Sequence, residues 1–316
     1  MVDGNLQGEW DKNPNEIFDT FSQKAVSGAS IGQVHKASKD GRDYAVKVQY
    51  PGVAESLQSD LRVIKPIALQ ILGLREKDVA AYFKEVEARL TEETNYTLEL
   101  ERSIQLSRDS AGLANVRFPV YYPEMSSKRI LTKDWLDGAQ LDKIADGDAP
   151  QEARDQIGQA LWDFYNHQNH TLRIFHADPH PGNFLVSKDN ALCVLDFGCT
   201  KKIEDHFYSQ QFQFLDPALA DDHDALIAAM EEINVFLPGD SPELKEEMFK
   251  VAVRSLHLLA RPFHSETFDF GDEEFMRSIY EMGEDNQQNK TLRKAKGARG
   301  SAESIYVNRA YFGLYS

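Results

Sequence analysis

The sequence predicts an α+β fold of two lobes, a small lobe that holds a β-sheet with inserted helices and a mainly helical large lobe. Three observations lead to this prediction. The first half contains β-prone segments with inserted helical stretches, the composition turns helical from Ala153, and from about His206 the chain is helical with polar links. A link at 136–138 separates the two parts. We therefore assign residues 1–136 to the small lobe and 137–316 to the large lobe.

The small lobe is predicted to contain three strand segments and two long helical segments. The first strand segment is rich in small residues and then β-prone, and a turn at Gly41-Arg42 leads into an alternating strand. The second helical segment contains the poor helix formers 94–97, which predict a break. The strands are predicted at residues 25–37, 44–50 and 129–135, and the helices at 53–74 and 78–108.

The large lobe is predicted to be helical around one hairpin. Helical composition extends from Ala153 to about Leu172. The β-prone residues 184–186 and 192–195 flank a run of turn residues, and this pattern indicates a hairpin. Beyond it the sequence predicts helices that are separated by polar links, of which 237–240 is the clearest.

The composition is that of a globular protein with an acidic charge balance. There are 35 Lys and Arg residues against 51 Asp and Glu, a net charge of −16, and the sequence pI is about 5.0. A polyanion binds to a positively charged surface, and the excess of acidic residues disfavours such a surface here. Nucleic acid and an anionic membrane surface are therefore disfavoured as main partners. No apolar run is long enough for a membrane-spanning helix, and the N-terminus is too polar for a signal peptide. Cys193 and Cys199 have no CxxC spacing, so we expect a reducing, cytoplasmic location.

The strongest chemical signal is the segment 176–183, followed by Asp-Phe-Gly at 196–198. Asp178 and Asn183 are five residues apart, and Asp196 lies thirteen residues beyond Asn183, with the predicted hairpin between them. Phosphoryl transfer from ATP needs a carboxylate near the attacking hydroxyl and oxygen ligands that hold Mg²⁺ on the phosphates. Kinases supply these groups at this spacing. The pattern predicts Asp178 as the catalytic carboxylate, with Asn183 and Asp196 as metal ligands.

An alternative assigns the cluster of His176, Asp178 and His180 to a turn or to a zinc site. His and Asp side chains at this spacing can bind zinc. Zinc binding leaves the spacing of the rest of the motif unexplained, so we interpret His176 as a structural residue that braces the loop. His167 and His170, near a predicted helix end, carry no functional signal.

A second signal is Lys47 in the strand segment 45–48, a variant of the strand whose lysine binds ATP phosphates. For this motif alone a surface lysine is the simpler reading, but its position upstream of the catalytic loop favours the phosphate role. The preceding loop 27–33 is made mostly of small residues, which keep backbone N–H groups open to a phosphate, and Ser27 and Ser30 can add hydroxyl donors. Periodicity does not choose a carboxylate partner for the lysine among Glu85, Glu87, Glu92, Glu93, Glu99 and Glu101.

Several segments together resemble the UbiB/AarF-domain family of atypical kinases, which is linked to ubiquinone and other prenyl-lipid metabolism. SIGQVH followed by VKVQYPGV is specific, because ordinary protein kinases lack both. The resemblance implies a bilobed protein-kinase-like fold and phosphoryl transfer or hydrolysis that uses ATP and Mg²⁺. The matching segments are SGASIGQVHKA (27–37), YAVKVQYPGV (44–53), ETNYTLE (93–99), HADPHPGNFL (176–185), LDFG (195–198), FDFGD (268–272) and RGSAESIYVNRAYFGLYS (299–316).

The resemblance also implies roles for individual residues. Lys47 matches the ATP-site lysine of the family and Glu99 matches its carboxylate partner, whereas Asn95 departs from the family's ExD element, which begins at Glu93. Gly28 stands where the alanine-rich loop of the family usually carries Ala, which implies an altered nucleotide preference or turnover. The expected catalytic residues are Asp178, Lys47 and Glu99. The expected nucleotide-binding residues are Ser27, Gly28, Ala29, Ser30, Gly32, Lys47 and the hinge-like segment Asp134, Trp135 and Leu136.

One hallmark of the family is missing from the sequence, the KxGQ element that precedes the alanine-rich loop. Only 26 residues precede Ser27 and none of them forms this element, and the chain stops at Ser316 within a helical segment. We therefore expect a fragment of a longer protein. No A-P-E signature follows 196–198, so a platform for peptide substrates is not evident.

The sequence thus predicts an atypical kinase or ATPase of the UbiB type. Its expected partners are ATP and either prenyl-lipid or quinone precursors or lipid-biosynthesis enzymes, with peripheral contact to a membrane. Two alternatives stay open. One is a small-molecule kinase of the aminoglycoside or choline type, which uses a similar HxDxHxxN loop. The other is a nucleotide-binding pseudokinase that acts as a scaffold, although the intact site residues argue against a loss of catalytic activity.

Overall fold

The α+β fold of two lobes predicted from the sequence is confirmed by the computed structural model. The structure describes residues 8–10, 12–72, 76–176, 178–295, 299–301 and 303–315. Strands alternate with helices as far as about residue 202, and only helices follow within the described ranges. The strands are β1 Thr20–Phe21, β2 Ser27–Ala29, β3 Gly32–Lys39, β4 Arg42–Gln49, β5 Val116–Arg117, β6 Ile130–Asp134, β7 Ala139–Gln140, β8 Ile174–His176, β9 Phe184–Val186, β10 Leu192–Val194 and β11 Thr200–Lys202.

The helices differ widely in length. The longest are the two that follow the small-lobe hairpin and one in the second half of the chain. The α-helices are α1 Pro14–Ile17, α2 Val53–Leu72, α3 Glu76–Glu93, α4 Tyr96–Asp109, α5 Leu141–Ala145, α6 Gln151–Asn166, α7 Asp205–Phe212, α8 Ala218–Asp221, α9 His223–Glu232, α10 Pro242–Leu259, α11 Glu273–Gln288 and α12 Ser304–Tyr315.

The small lobe is built on one antiparallel sheet with the strand order β1-β3-β4-β6 and with β2 paired to β3. Asp40 and Gly41 form the turn between β3 and β4 with φ of 51° and 74°. Two left-handed residues give a tight turn whose twist matches that of the flanking strands. One face of β4 packs with Val46 and Val48 on an apolar cluster around Phe18. The opposite face therefore turns toward the large lobe.

The break predicted within the long helical region lies at Thr94 and Asn95, between α3 and α4. Gln49 Nε2 donates a hydrogen bond to the carbonyl oxygen of Thr94 at 3.0 Å, and the backbone N–H of Tyr96 donates to Lys128 O at 3.0 Å. These contacts hold the start of α4 against the small-lobe sheet. Residues in the first turn of α4 consequently lie next to β4.

The core of the large lobe is an aromatic cluster that joins α6 to the β9–β10 hairpin. Phe164, Phe184 and Phe197 are each at most 1% exposed and pack in this cluster. The hairpin belongs to a four-stranded sheet with the order β5-β10-β9-β7, and β8 pairs with β11 in a separate two-stranded sheet. The loop between β8 and β9 therefore lies next to the turn between β10 and β11 where both emerge from the core.

The structure differs from the prediction at short elements. The helix expected up to Leu172 is α-helical only to Asn166 and continues as a π-helix over His167–Leu172, which ends at Arg173 with φ of 57°. The strands β1, β5, β7, β8 and β11 were not predicted, because two or three residues show no periodicity that a sequence pattern could reveal.

In the described ranges, no helix is both long enough and apolar enough to span a bilayer. Cys193 is buried on β10, and Cys199 is partly buried.

Candidate active site

A cavity of about 490 Å³ lies between the small-lobe sheet and the loops of the large lobe, and we call it the cleft. Of the predicted site residues, two do not line it. Gly32 begins β3 beside β4, where a Cβ would be 2.4 Å from Val48 O. The side chain of Asp134 accepts a hydrogen bond from Tyr122 at 2.7 Å. The predicted site residues that line the cleft are Ser27, Gly28, Ala29, Ser30, Lys47, Glu99, Trp135, Leu136, Asp178, Asn183 and Asp196.

The ammonium group of Lys47 is held between two carboxylates. Its Nζ donates to Glu99 Oε1 at 2.8 Å, to Glu99 Oε2 at 3.0 Å and to Asp196 Oδ2 at 2.9 Å. The side chains of Lys47 and Glu99 are 7% and 4% exposed. The contact between Lys47 and Glu99 that the resemblance implied is therefore present. Because Asp196 follows β10 of the large lobe, Lys47 also joins the two lobes.

Burial and charge act in opposite directions on this cluster. Burial disfavours the charge on Lys47, but the attraction of Asp196 and Glu99 outweighs it and raises the pKa of Lys47 well above its usual value. Burial likewise opposes ionisation of Asp196, yet Lys47 and Lys133 outweigh it and lower the pKa of Asp196. For Glu99, burial and the nearby charge of Asp196 prevail and raise the pKa. Asp196 is thus ionised at neutral pH.

The catalytic-loop segment brings Asp178 and Asn183 together. Asn183 Nδ2 donates to Asp178 Oδ2 at 2.7 Å and to Asp178 O at 3.0 Å. His176 is buried, and its Nε2–H donates to Asp196 O at 2.7 Å. Burial lowers the pKa of His176, which fits a neutral ring that donates to a carbonyl. His176 thereby connects the loop to the Asp-Phe-Gly segment, as a bracing residue does.

The site also contains residues that were not among the expected catalytic, nucleotide-binding or metal-binding residues. Arg309, on α12, lines the cleft and its Nη2 donates to Asp178 Oδ1 at 3.3 Å. The sequence showed that the segment around Arg309 resembles the family, but a position 131 residues after Asp178 gave no sign of a contact. Glu93 lines the cleft as well, and burial raises its pKa.

Lys133, on β6, is a second lysine of the cleft that the sequence analysis missed. Its side chain is buried and its Nζ donates to the carbonyl oxygen of Leu195. Burial and the charge of Lys47 lower the pKa of Lys133, although Asp196 acts in the opposite direction. A strand lysine has no distinctive sequence signal, since most such lysines face solvent.

The residues predicted to bind a metal fit a magnesium ion. Asn183 and Asp196 line the same cavity and offer an amide oxygen and an ionised carboxylate, the hard ligands that Mg²⁺ prefers. The contact of Asn183 with Asp178 uses Nδ2 and leaves the amide oxygen out of that bond. In the part of the chain that the structure describes, no group of three or more His, Cys, Asp or Glu side chains is arranged to hold a metal.

Comparisons with known proteins agree with the motifs. A family model for the ABC1 atypical kinase-like domain matches residues 2–230. ACTIVITY OF BC1 COMPLEX KINASE 8, chloroplastic, from Arabidopsis thaliana is 30% identical over 234 residues, which are 71% of this chain and 31% of that protein. Atypical kinase coq-8, mitochondrial, from Caenorhabditis elegans is 31% identical over 240 residues, 73% of this chain and 31% of that protein.

A solved structure of Rv3197 with erythromycin, from Mycobacterium tuberculosis, has the same fold. Its TM-score is 0.73 at 24% identity, and the match covers 99% of this chain and 78% of that chain. The chain spans between about a quarter and a half of the length of its curated relatives. The family match covers well over half of this chain and includes the catalytic loop, so the chain belongs to the ABC1 atypical kinase-like domain family.

Proposed function

We propose that this protein binds ATP with Mg²⁺ in the cleft and transfers the γ-phosphoryl group to a hydroxyl acceptor or to water. The observation that carries the proposal is the convergence of Lys47, Asp178, Asn183 and Asp196 on one cavity. They are 149 residues apart at the extremes, from Lys47 to Asp196. Catalysis of phosphoryl transfer is mainly positioning and charge stabilisation, and these side chains supply both.

The nucleotide would occupy the cleft with its base toward the small-lobe sheet. Apolar side chains from both lobes line the cavity, among them Val34, Leu136 and Leu185, and can cover the two faces of a purine. Backbone groups of Trp135 and Leu136, which line the cavity, would meet the edge of the base. The loop 27–30 lines the cavity as well and would lie over the phosphates, where small side chains keep backbone N–H groups accessible.

Lys47 would hold the α- and β-phosphates while Glu99 fixes its ammonium group. Asn183 and Asp196 would hold Mg²⁺, which neutralises negative charge on the phosphates when it is bound. Asp196 already makes a bond to Lys47. The lysine proposed for the phosphates and the carboxylate proposed for the metal are therefore adjacent before nucleotide enters.

Asp178 would receive the proton of the attacking hydroxyl or water. As the new bond forms between the acceptor oxygen and the γ-phosphorus, the bond from that phosphorus to the bridging oxygen of ADP breaks, and ADP leaves with that electron pair. The proton on Asp178 then passes to solvent, to which the carboxylate is open, since its side chain is 41% exposed. Bonds from Asn183 and Arg309 fix the direction of the carboxylate.

The family resemblance suggests that the acceptor belongs to prenyl-lipid or quinone metabolism, and we extend the proposal to peripheral contact with lipid. One observation supports such contact. Four apolar side chains on α2 are exposed by more than half, namely Val63, Ile64, Ile67 and Ile71, at 64%, 56%, 52% and 76%. They recur at helical spacing on one side of α2 and form an apolar face of the kind that inserts into a membrane interface.

Calorimetric titration with ATP, with and without Mg²⁺, tests the binding step. We expect Mg²⁺-dependent binding that Asp196→Asn largely abolishes, while Asp189→Asn, a surface substitution on the β9–β10 turn, leaves it unchanged. Absence of ATP binding would refute the proposal.

Phosphate release and transfer to acceptors test the reaction step. Turnover that rises with lipid vesicles or a phenolic quinone precursor would support the UbiB-type assignment. Transfer to an aminoglycoside or to choline would indicate the small-molecule kinase instead. Binding of ATP without any turnover would indicate a scaffold.

A further inference from the structure

Lys133 occupies a position in the cleft that the phosphate chemistry does not explain. It pairs with Ala45 across the β4–β6 ladder, and Lys47 pairs with Leu131. Side chains two residues apart on a strand share a face, so Lys133 and Lys47 lie on the same face of the sheet. That face is the roof of the cleft, because both lysines line the cavity. Lys133 is also the residue directly before the segment 134–136.

The side chain of Lys133 is buried, and it lines the cleft. It donates to Leu195 O, the carbonyl directly before Asp196. Its charge interacts favourably with Asp196 and unfavourably with Lys47. An ammonium group has three N–H donors and no acceptor. The bond to Leu195 uses one of them, so further donors are available to a ligand in the cavity.

A purine presents a chemically distinct edge to this group. Position 7 is an acceptor in every common purine, whereas position 6 is an amino donor in adenine and a carbonyl acceptor in guanine. A base that directs position 1 toward the backbone of 134–136 turns positions 6 and 7 toward the preceding residue of the strand. A cationic donor there attracts a 6-carbonyl and repels a 6-amino group.

We propose that Lys133 selects the base of the nucleotide and makes the cleft favour purines with an oxygen at position 6, guanine and hypoxanthine, relative to adenine. This inference rests on the proposed function, because it needs a purine nucleotide in the cleft. It deepens that function by extending the nucleotide substrate from ATP to GTP and ITP. A lysine bonded to positions 6 and 7 discriminates between purines by roughly 5- to 100-fold.

A purely structural lysine would behave differently. If the bond to Leu195 O were its only purpose, an apolar replacement would leave that buried carbonyl without its partner and lower the melting temperature. The ratio of affinities for two purines would then stay constant, since both nucleotides would meet the same loosened site. The ratio of affinities for two purine nucleotides therefore distinguishes a lysine that selects the base from a lysine that only stabilises the fold.

The test is the affinity of the chain for ATP, GTP, ITP and 7-deaza-GTP in the presence of Mg²⁺. For the unaltered protein, we expect ITP to bind like GTP, because both carry the 6-oxygen, and 7-deaza-GTP to bind more weakly than GTP, because it lacks the acceptor at position 7. This series uses only the unaltered protein, so its result does not depend on whether a substituted protein folds. Equal binding of GTP and 7-deaza-GTP, together with a preference for ATP over both GTP and ITP, would overturn the assignment.

The variant Lys133→Met should lower the ratio of GTP to ATP affinity by about tenfold, and Lys133→Arg should keep it. Lys39→Met, at the end of β3 and outside the cleft lining, is the matched control and should leave the ratio unchanged. An unchanged ratio in Lys133→Met would refute base selection while the proposed function stands. Failure of all four nucleotides to bind would refute the proposed function and the inference together.

Discussion

Gly313 of helix α12 lies directly against Pro179, the residue that follows Asp178. A Cβ built on Gly313 would lie 2.2 Å from Pro179 Cγ and 2.3 Å from Pro179 Cβ, so only hydrogen fits there. Arg309 lies one helical turn before Gly313 on the same side of the helix, and it reaches Asp178. The close approach of the glycine thus brings the arginine to the carboxylate of Asp178.

Gly313→Ala should lower both stability and turnover. The added methyl group overlaps Pro179, and over-packing of this kind costs about 1–3 kcal/mol or displaces the helix. Gly283→Ala is the matched control, because it lies on helix α11 with no atom within 4 Å of the new Cβ. There the change should stabilise by about 0.5–1 kcal/mol, since glycine is a poor helix former. Equal melting temperatures and phosphate release in the two variants would contradict the packing role of Gly313.

Arg309→Gln should reduce turnover by about tenfold without a comparable loss of ATP affinity, because in our proposal its contact positions the general base Asp178 and so affects the rate step. The pair is partly exposed, with side chains 56% and 41% accessible, so the melting temperature should change little. Arg254→Gln is the control, because it removes another exposed ion pair, with Asp285, on helices away from the cleft. It should change neither the turnover nor the melting temperature. Unchanged turnover in Arg309→Gln would show that the contact with Asp178 has no role in positioning.

The parts of this site that could be predicted are those that local spacing encodes. Asp178, Asn183 and Asp196 lie on one short segment around a hairpin, so a fixed number of residues between them implies a fixed geometry. The helix break at 94–97 could be predicted equally well, because Thr and Asn side chains compete with the helix for nearby backbone hydrogen bonds. The choice of Glu99 for Lys47 needed the family resemblance, since six glutamates share the helical region and spacing alone does not separate them.

The remaining parts depend on tertiary packing that local sequence does not encode. Arg309 reaches the site only because α12 packs on Pro179 from the far end of the described chain. Lys133 differs from an ordinary strand lysine only through burial between two lobes. Strands of two or three residues, such as β8 and β11, form because the neighbouring strand supplies their partners, and their own sequence has too few positions to show alternation.

Glu99→Gln should destabilise the protein and weaken nucleotide binding. It leaves Lys47 buried with one charged partner, Asp196, in place of two. Breaking a buried ion pair costs about 3–5 kcal/mol when no second partner remains, so we expect a loss of about 2 kcal/mol here. Glu101→Gln changes an exposed glutamate of the same helix and is the control. If the Glu99→Gln protein has the same melting temperature as the Glu101→Gln control, the ion pair of Lys47 with Glu99 contributes nothing to stability.

The stability of the protein should fall as the pH drops below about 6.5, in part through His170. Burial and the charge of Arg173 lower the pKa of this ring in the folded state. Its two nitrogens contact the hydroxyl groups of Tyr208 at 2.7 Å and Tyr311 at 3.1 Å. The unfolded chain takes up the proton at a higher pH than the folded chain does. Stability is therefore present above the ordinary pKa of histidine and is lost as the pH falls.

The measurement for His170 is the difference between the melting temperatures at pH 7.5 and pH 5.5. His170→Gln removes the titrating group but keeps a side chain that can bond to a hydroxyl, so its difference should be smaller than that of the unaltered protein. An identical difference in both proteins would assign the acid sensitivity to other groups.

Asp178→Asn should reduce phosphate release by roughly 10²–10⁴ while ATP affinity stays nearly constant, because a well-placed base contributes that much to the rate and little to binding. Asp178 faces Asn183 and Arg309, whereas Lys47 and Asp196 hold the phosphates and the metal in our proposal. If Asp178 only braces the loop, the substitution should lower melting temperature, affinity and turnover together. Parallel measurement of the three quantities on this variant separates the two roles, and a fully active Asp178→Asn protein would contradict both.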